Sequence, residues 1–101
     1  MQVVEILLPL FDGEGRRFEK RLYDSVRSQL TEKFGGLTAF TRSPAEGQWV
    51  DDGEVARDEI VVFEVMADEL DRGWWRNFRR DLERWFRQEE IVVRAREAER
   101  L

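Results

Sequence analysis

Two strand-type segments follow one another in the middle of this chain with no helix between them, and that order limits the fold. Residues 37–42 (LTAFTR) and 59–67 (EIVVFEVMA) are rich in β-branched and aromatic residues. An all-parallel sheet needs a helical crossover between successive strands. The sequence therefore favours an antiparallel sheet.

The other segments complete a strand–helix–strand–strand–helix–strand order. Strands are predicted over 2–10 and 90–96, and residues 43–58 are rich in turn formers, with GQWV as a brief strand. Apolar residues every fourth position predict a first helix, which Gly35 ends in a left-handed cap: Phe18, Leu22, Val26, Leu30 and Phe34. Asp68 and Asp71 resemble a capping box that opens the second helix. The fold class is α+β, a ferredoxin-like βαββαβ domain over 1–101 with both helices on one face of the sheet.

The second helix lies in the aromatic and arginine-rich segment 72–90 (RGWWRNFRRDLERWFRQEE). On a helical wheel its rings and leucines fall within an arc of about 160°, and its arginines take the opposite side. Stacking platforms for nucleic acid need both on one surface. The segregation and the net charge of −5 favour a core helix and no nucleic-acid partner. The alternative interpretation of this helix is that its rings form a ligand-binding box. Trp75 and Phe86, at the edge of the apolar arc, are expected to contact a second subunit in a homodimer.

Composition excludes several classes of chemistry. The chain has no Cys and no His, so thiolate nucleophiles, histidine bases and the commonest transition-metal ligands are absent. We expect no metal and no cofactor. No apolar run approaches the ~20 residues of a membrane span, and residues 1–10 lack a basic start and a cleavage site. The expectation is a soluble cytoplasmic protein without a membrane partner.

Strand alternation places charged residues on the sheet face that the helices leave open. In the predicted strand order, Glu5, Glu64 and Arg94 form a row across that face, with Arg42 as a fourth candidate. Adjacent carboxylates repel, and flanking arginines relieve that repulsion. The apolar residues around the row favour burial, and pairing two such faces gives a dimeric α+β barrel: Val3, Leu7, Ile60, Val62 and Met66.

Two functions are compatible with this row. In the favoured one it is a salt-bridge ladder in a homodimeric binding or interaction protein of unknown ligand, with a small molecule as a possible partner. In the alternative, Glu5 or Glu64 is the general base of a small cofactor-independent isomerase-type or monooxygenase-type enzyme. The sequence leaves open whether the protein is an enzyme.

Two aromatic residues are candidate ligand contacts. Trp49 lies in the long turn-rich segment, where it either anchors the loop or closes over the edge of the sheet. Tyr23 follows Leu22 on the first helix, where packing is the simpler interpretation.

Three segments resemble a family of uncharacterised bacterial proteins with a domain of unknown function. They are LPLFDGEGRRF, FGGLTAFTRSPAEGQW and FRQEEIVVRA, and the last two are similar to that family's GLT…G-W…F-QE-V pattern. Its members are small and often exported, whereas this chain shows no signal peptide. The resemblance spans most of the chain, and its motifs are structural, so it implies no catalytic residues.

Overall fold

The computed structural model describes residues 1–42, 50–51, 54–55 and 60–101, with the backbone alone for 40–42, 50–51 and 54–55. The elements in chain order are β1 (Gln2–Pro9), α1 (Lys20–Phe34), β2 (Thr38–Arg42), β3 (Val50–Asp51), β4 (Glu54–Val55), β5 (Ile60–Ala67), α2 (Arg72–Trp85) and β6 (Val93–Glu97). Strands β3 and β4 pair with each other in a short hairpin. Strand β3 includes Val50, the last residue of the brief strand predicted at GQWV, whose other residues lie outside the described part of the chain. Strand β4 is an addition to the predicted elements.

The main sheet has the strand order β2-β5-β1-β6, and all its neighbours are antiparallel. The first and third main strands, β1 and β5, therefore lie in the centre, as a ferredoxin-like βαββαβ order requires. This confirms the predicted α+β fold class.

Both helices pack on the same face of this sheet. The central strands contribute Val4, Ile6, Leu8, Phe63 and Val65 to one buried cluster, and these alternate residues point to one side of the sheet. Helix α1 adds Val26 and Leu30, and helix α2 adds Trp75, Phe78 and Leu82. The side chains at even positions of β5, Val62 among them, belong to the opposite face.

The helix ends follow from local hydrogen bonds. Helix α1 begins two residues after Phe18, because the Phe18 N–H donates to the Leu10 carbonyl and joins the turn after β1. Gly35 has φ of 81° and donates its N–H to Thr31, so the predicted left-handed cap is confirmed. Helix α2 is capped by Asp71, whose carboxylate accepts from the Trp74 N–H at 3.0 Å. The predicted capping box starting at Asp68 is wrong by one turn.

The prediction that Trp75 and Phe86 contact a second subunit is also wrong. Trp75 is 6% exposed and Phe86 is 0% exposed within the single chain. Phe86 follows the last residue of α2, and its ring lies 5.2 Å from that of Phe18 and 5.3 Å from that of Tyr23. Phe18 lies just before α1, and Tyr23 lies in its first turn. The start of the first helix therefore covers Phe86, which a helical wheel of the second helix alone places at the edge of the apolar arc.

Neither helix could cross a lipid bilayer, as far as the described residues show.

Candidate functional site

The row of charged residues on the open face of the sheet forms as the strand pattern predicts. Glu5 on β1 lies directly opposite Glu64 on β5 and, on its other side, opposite Arg94 on β6. Two carboxylates thus occupy neighbouring positions on the two central strands. Like charges directly opposite one another destabilise a sheet, so their surroundings decide whether this row is structural or functional.

Glu5 is held by two arginines of the edge strand. Its Oε2 lies 3.5 Å from Nη2 of Arg94, and its Oε1 lies 3.7 Å from Nε of Arg96. The Glu5 side chain is only 12% exposed, while the two arginine side chains are more than half exposed. Arg96 was not predicted as a site residue, although its spacing of two from Arg94 puts both side chains on one face of the sheet. Glu5 therefore has the paired environment that a structural ladder requires.

Glu64 differs from Glu5 in having no such partner. It is partly buried in the middle of β5, and its carboxylate makes no hydrogen bond or ion pair with any other side chain in the described part of the chain. Its strand neighbours on the same face are Val62 and Met66, both apolar. A partly buried carboxylate with no cation among the described side chains is free to accept hydrogen bonds from a ligand.

Strand β2 enters the row through Thr38, because the register pairs Thr38 with Glu64 and Arg42 with Ile60. Arg42 thus lies four residues along β2 from Thr38, which occupies the position expected for the fourth member of the row. Alternation gives the side of the sheet correctly, since 38 and 42 have the same parity, but it does not fix the register. Trp49, the other candidate from this region, lies outside the described residues.

The apolar part of this face is less open than the sequence suggests. Val62 is 0% exposed and Val3 is 3% exposed, although both face away from the helices. Met66 at 52% and Val92 at 45% remain accessible. The most exposed large apolar side chains of this face are therefore Met66 and Val92.

Tyr23 lies on α1, on the helix side of the sheet, and its contacts do not involve this row. Its hydroxyl donates a hydrogen bond to the carbonyl of Pro9, and its ring packs on Phe86. Burial raises the pKa of Tyr23 to about 12, and the positive charge of Arg17 offsets part of that rise. These contacts account for Tyr23 as a packing residue, while its role as a ligand contact stays a prediction.

We expect the phenol of Tyr23 to titrate with a midpoint near pH 12 in the folded protein. The unfolded chain should titrate at about 10. In the window between these values the unfolded state holds fewer protons, so the free energy of unfolding is intact below pH 10 and falls as the pH rises toward 12. Phenolate absorbance measures this directly, because the chain has a single Tyr.

The control is Tyr23→Phe, which should remove both the phenolate signal and the alkaline loss of stability that this residue causes. A midpoint near 10 in the folded protein would contradict the burial of the hydroxyl.

Comparison with known proteins gives a fold and no family. No protein-family model matches the chain, and no curated protein is a significant match. Among solved structures, the chain is similar to a phage SAM lyase in complex with S-methyl-5′-thioadenosine, with a TM-score of 0.61 and 15% sequence identity over 95% of this chain and 80% of that chain. At this identity the similarity concerns the fold alone. The resemblance to the bacterial family of unknown function stays a prediction.

Proposed function

We propose that this protein binds a small organic molecule on the sheet face turned away from the helices, with Glu64 as its main polar contact. The observation that carries the proposal is the contrast between the two central carboxylates. Glu5 is paired with two arginines, whereas Glu64 has no partner among the described side chains. A structural ladder would use both carboxylates, because an unpaired, partly buried charge costs stability. A carboxylate at this position is better explained by a ligand that hydrogen-bonds to it.

The ligand class that fits best is a nucleoside or a similar molecule with adjacent hydroxyl groups. An ionised carboxylate accepts hydrogen bonds and donates none, and its two oxygens can take two neighbouring hydroxyl donors at once. The similar phage SAM lyase was solved with S-methyl-5′-thioadenosine, which is a nucleoside of this kind. The accessible apolar side chain of Met66, on the same strand face, would contact the less polar part of such a ligand.

Calorimetric titration with S-methyl-5′-thioadenosine tests this function. Glu64→Gln is expected to weaken binding by about tenfold or more, since hydrogen bonds to a charged group contribute about 1.5–3 kcal/mol. The free energy of unfolding of this variant should be unchanged or higher, because the substitution removes a carboxylate that faces Glu5.

The matched control is Glu89→Gln, which removes an exposed carboxylate outside the sheet and should leave the affinity unchanged. Equal affinity of the Glu64→Gln variant and the parent protein would overturn the proposal. So would a destabilisation of about 1–3 kcal/mol that Arg94→Gln partly reverses, since that result is the signature of a ladder.

An enzymatic function is the second candidate. Glu64 is favoured over Glu5 as its general base, because no cation among the described side chains pairs with Glu64. Incubation with S-adenosylmethionine followed by chromatography would detect release of S-methyl-5′-thioadenosine. Activity that is lost in Glu64→Gln and kept in Glu89→Gln would support this candidate. Binding of the nucleoside without any turnover would leave the protein as a binding module.

The proposal includes a homodimer. Its support is the accessible apolar surface at Met66 and Val92 and the two edge strands, β2 and β6, of the main sheet. Light scattering at micromolar concentration should give twice the 12.1 kDa of one chain. Met66→Lys should shift that mass toward the monomer, and a mass of one chain for the parent protein would contradict the dimer.

A further inference from the structure

A cleft with a volume of about 390 Å³ lies between the first turns of α2 and the edge strand β6. It opens on the helix side of the sheet, away from Glu64, so it is separate from the site proposed above. Its floor is apolar and includes Val4, Trp75 and Val93, which belong to the buried cluster or pack against it. Its size is within the range of about 300–1,000 Å³ that small-molecule sites occupy.

The rim of this cleft is basic. Arg72, Arg76 and Arg79 line it from α2, and their spacing of four and three residues puts them within an arc of about 60°. None of the ten lining residues, all of them described, is an Asp or Glu. Arg94 borders the cleft from β6, but its guanidinium pairs with Glu5 on the other face of the sheet and does not belong to the basic rim. Three other clefts lined by described residues each contain at least one carboxylate. A purely basic rim is therefore a local feature in a chain whose net charge is −5.

These arginines of α2 also have few hydrogen-bond or ion-pair partners among the described residues. Arg72 and Arg76 are exposed and make no ion pair with any described carboxylate. The Nε of Arg79 is buried and has no hydrogen-bond acceptor in the described part of the chain. Its nearest carboxylate oxygen, Oε2 of Glu83, is 4.0 Å away and accepts instead from the Ile91 N–H at 2.9 Å. Arg72 and Arg76 thus lack anionic partners among the described residues, and Arg79 has only the long contact with Glu83.

We propose that this cleft binds a small organic phosphate, with the phosphate held by Arg72, Arg76 and Arg79 and the organic part against the apolar floor. One guanidinium group can bind two phosphate oxygens at once through two parallel N–H donors. The positive end of the α2 dipole is nearest to Arg72 and adds to the attraction. An apolar floor beneath a basic rim selects a molecule with both parts rather than the inorganic ion.

Calorimetric titration of the whole chain with phenyl phosphate at low ionic strength tests this proposal. Phenyl phosphate should bind in the micromolar to millimolar range and at least about tenfold more tightly than benzoate or inorganic phosphate. The double variant Arg72→Gln, Arg76→Gln should weaken it by about tenfold or more. Both residues are exposed and unpaired among the described side chains, so a melting curve should show an intact fold.

The matched control is Arg80→Gln, which removes an exposed arginine of the same helix that does not line the cleft. It should change the affinity for phenyl phosphate by less than about twofold, because an exposed charge away from the ligand is screened. The proposal is overturned if phenyl phosphate shows no binding at millimolar concentration, or if the double variant binds it as the parent protein does. It is equally overturned if Arg80→Gln weakens binding as much as the double variant, or if benzoate binds as tightly as phenyl phosphate.

Discussion

Replacing Phe86 by alanine is expected to lower the free energy of unfolding by about 3–5 kcal/mol. Phe86 is 0% exposed and contacts the rings of Phe18 and Tyr23, so its removal leaves a cavity between the end of α2 and the start of α1. A domain of this size is stable by only about 5–15 kcal/mol, so the variant should lose much of its stability. Denaturant unfolding followed by tryptophan fluorescence measures the change.

The control is Leu101→Ala, because Leu101 is fully exposed and its truncation should change stability by less than about 0.5 kcal/mol. The loss in Phe86→Ala should also be independent of protein concentration. A concentration-dependent loss would place Phe86 at a subunit interface, as the sequence pattern suggested, and would contradict its burial within one chain.

Phe86 illustrates what the sequence could and could not predict about the fold. The spacing of apolar residues predicted both helices, and Gly35 predicted the end of α1, because these depend on local periodicity and turn chemistry. The succession of two strands without a helix between them predicted the antiparallel sheet. The burial of Phe86 depends on how α1 lies beside α2. A helical wheel describes one helix at a time, so it does not contain that information.

The candidate site was likewise predicted only in part from the sequence. Alternation along the strands predicted that Glu5, Glu64 and Arg94 share one face and one row, since that follows from the strand order and the period of two. It did not predict that the arginines would pair with Glu5 and leave Glu64 without a partner. Because β1 lies between β5 and β6, as predicted, the arginines of β6 are nearer to Glu5 than to Glu64. Which carboxylate they pair with then depends on the side-chain geometry at the edge of the sheet, which alternation does not describe.

Val62→Asp is expected to destabilise the protein by about 3–5 kcal/mol, the magnitude of an uncompensated buried charge. Val62 is 0% exposed on the sheet face that the sequence pattern left open, so the new carboxylate would be removed from water without a cation. Met66→Asp is the matched control on the same face of the same strand. Met66 is 52% exposed within one chain, so its variant should stay within about 1 kcal/mol of the parent protein when both are measured at a concentration low enough to keep them monomeric.

The comparison of these two variants bears on function, because Glu64 lies between them on β5. If Val62→Asp alone is destabilising, the face is closed on the Val62 side and a ligand reaches Glu64 from the Met66 side. Similar and small effects of both substitutions, measured by denaturant unfolding, would mean that the whole face is open to water. The ligand could then approach from either end of the strand, and the apolar contact assigned to Met66 would lose its basis.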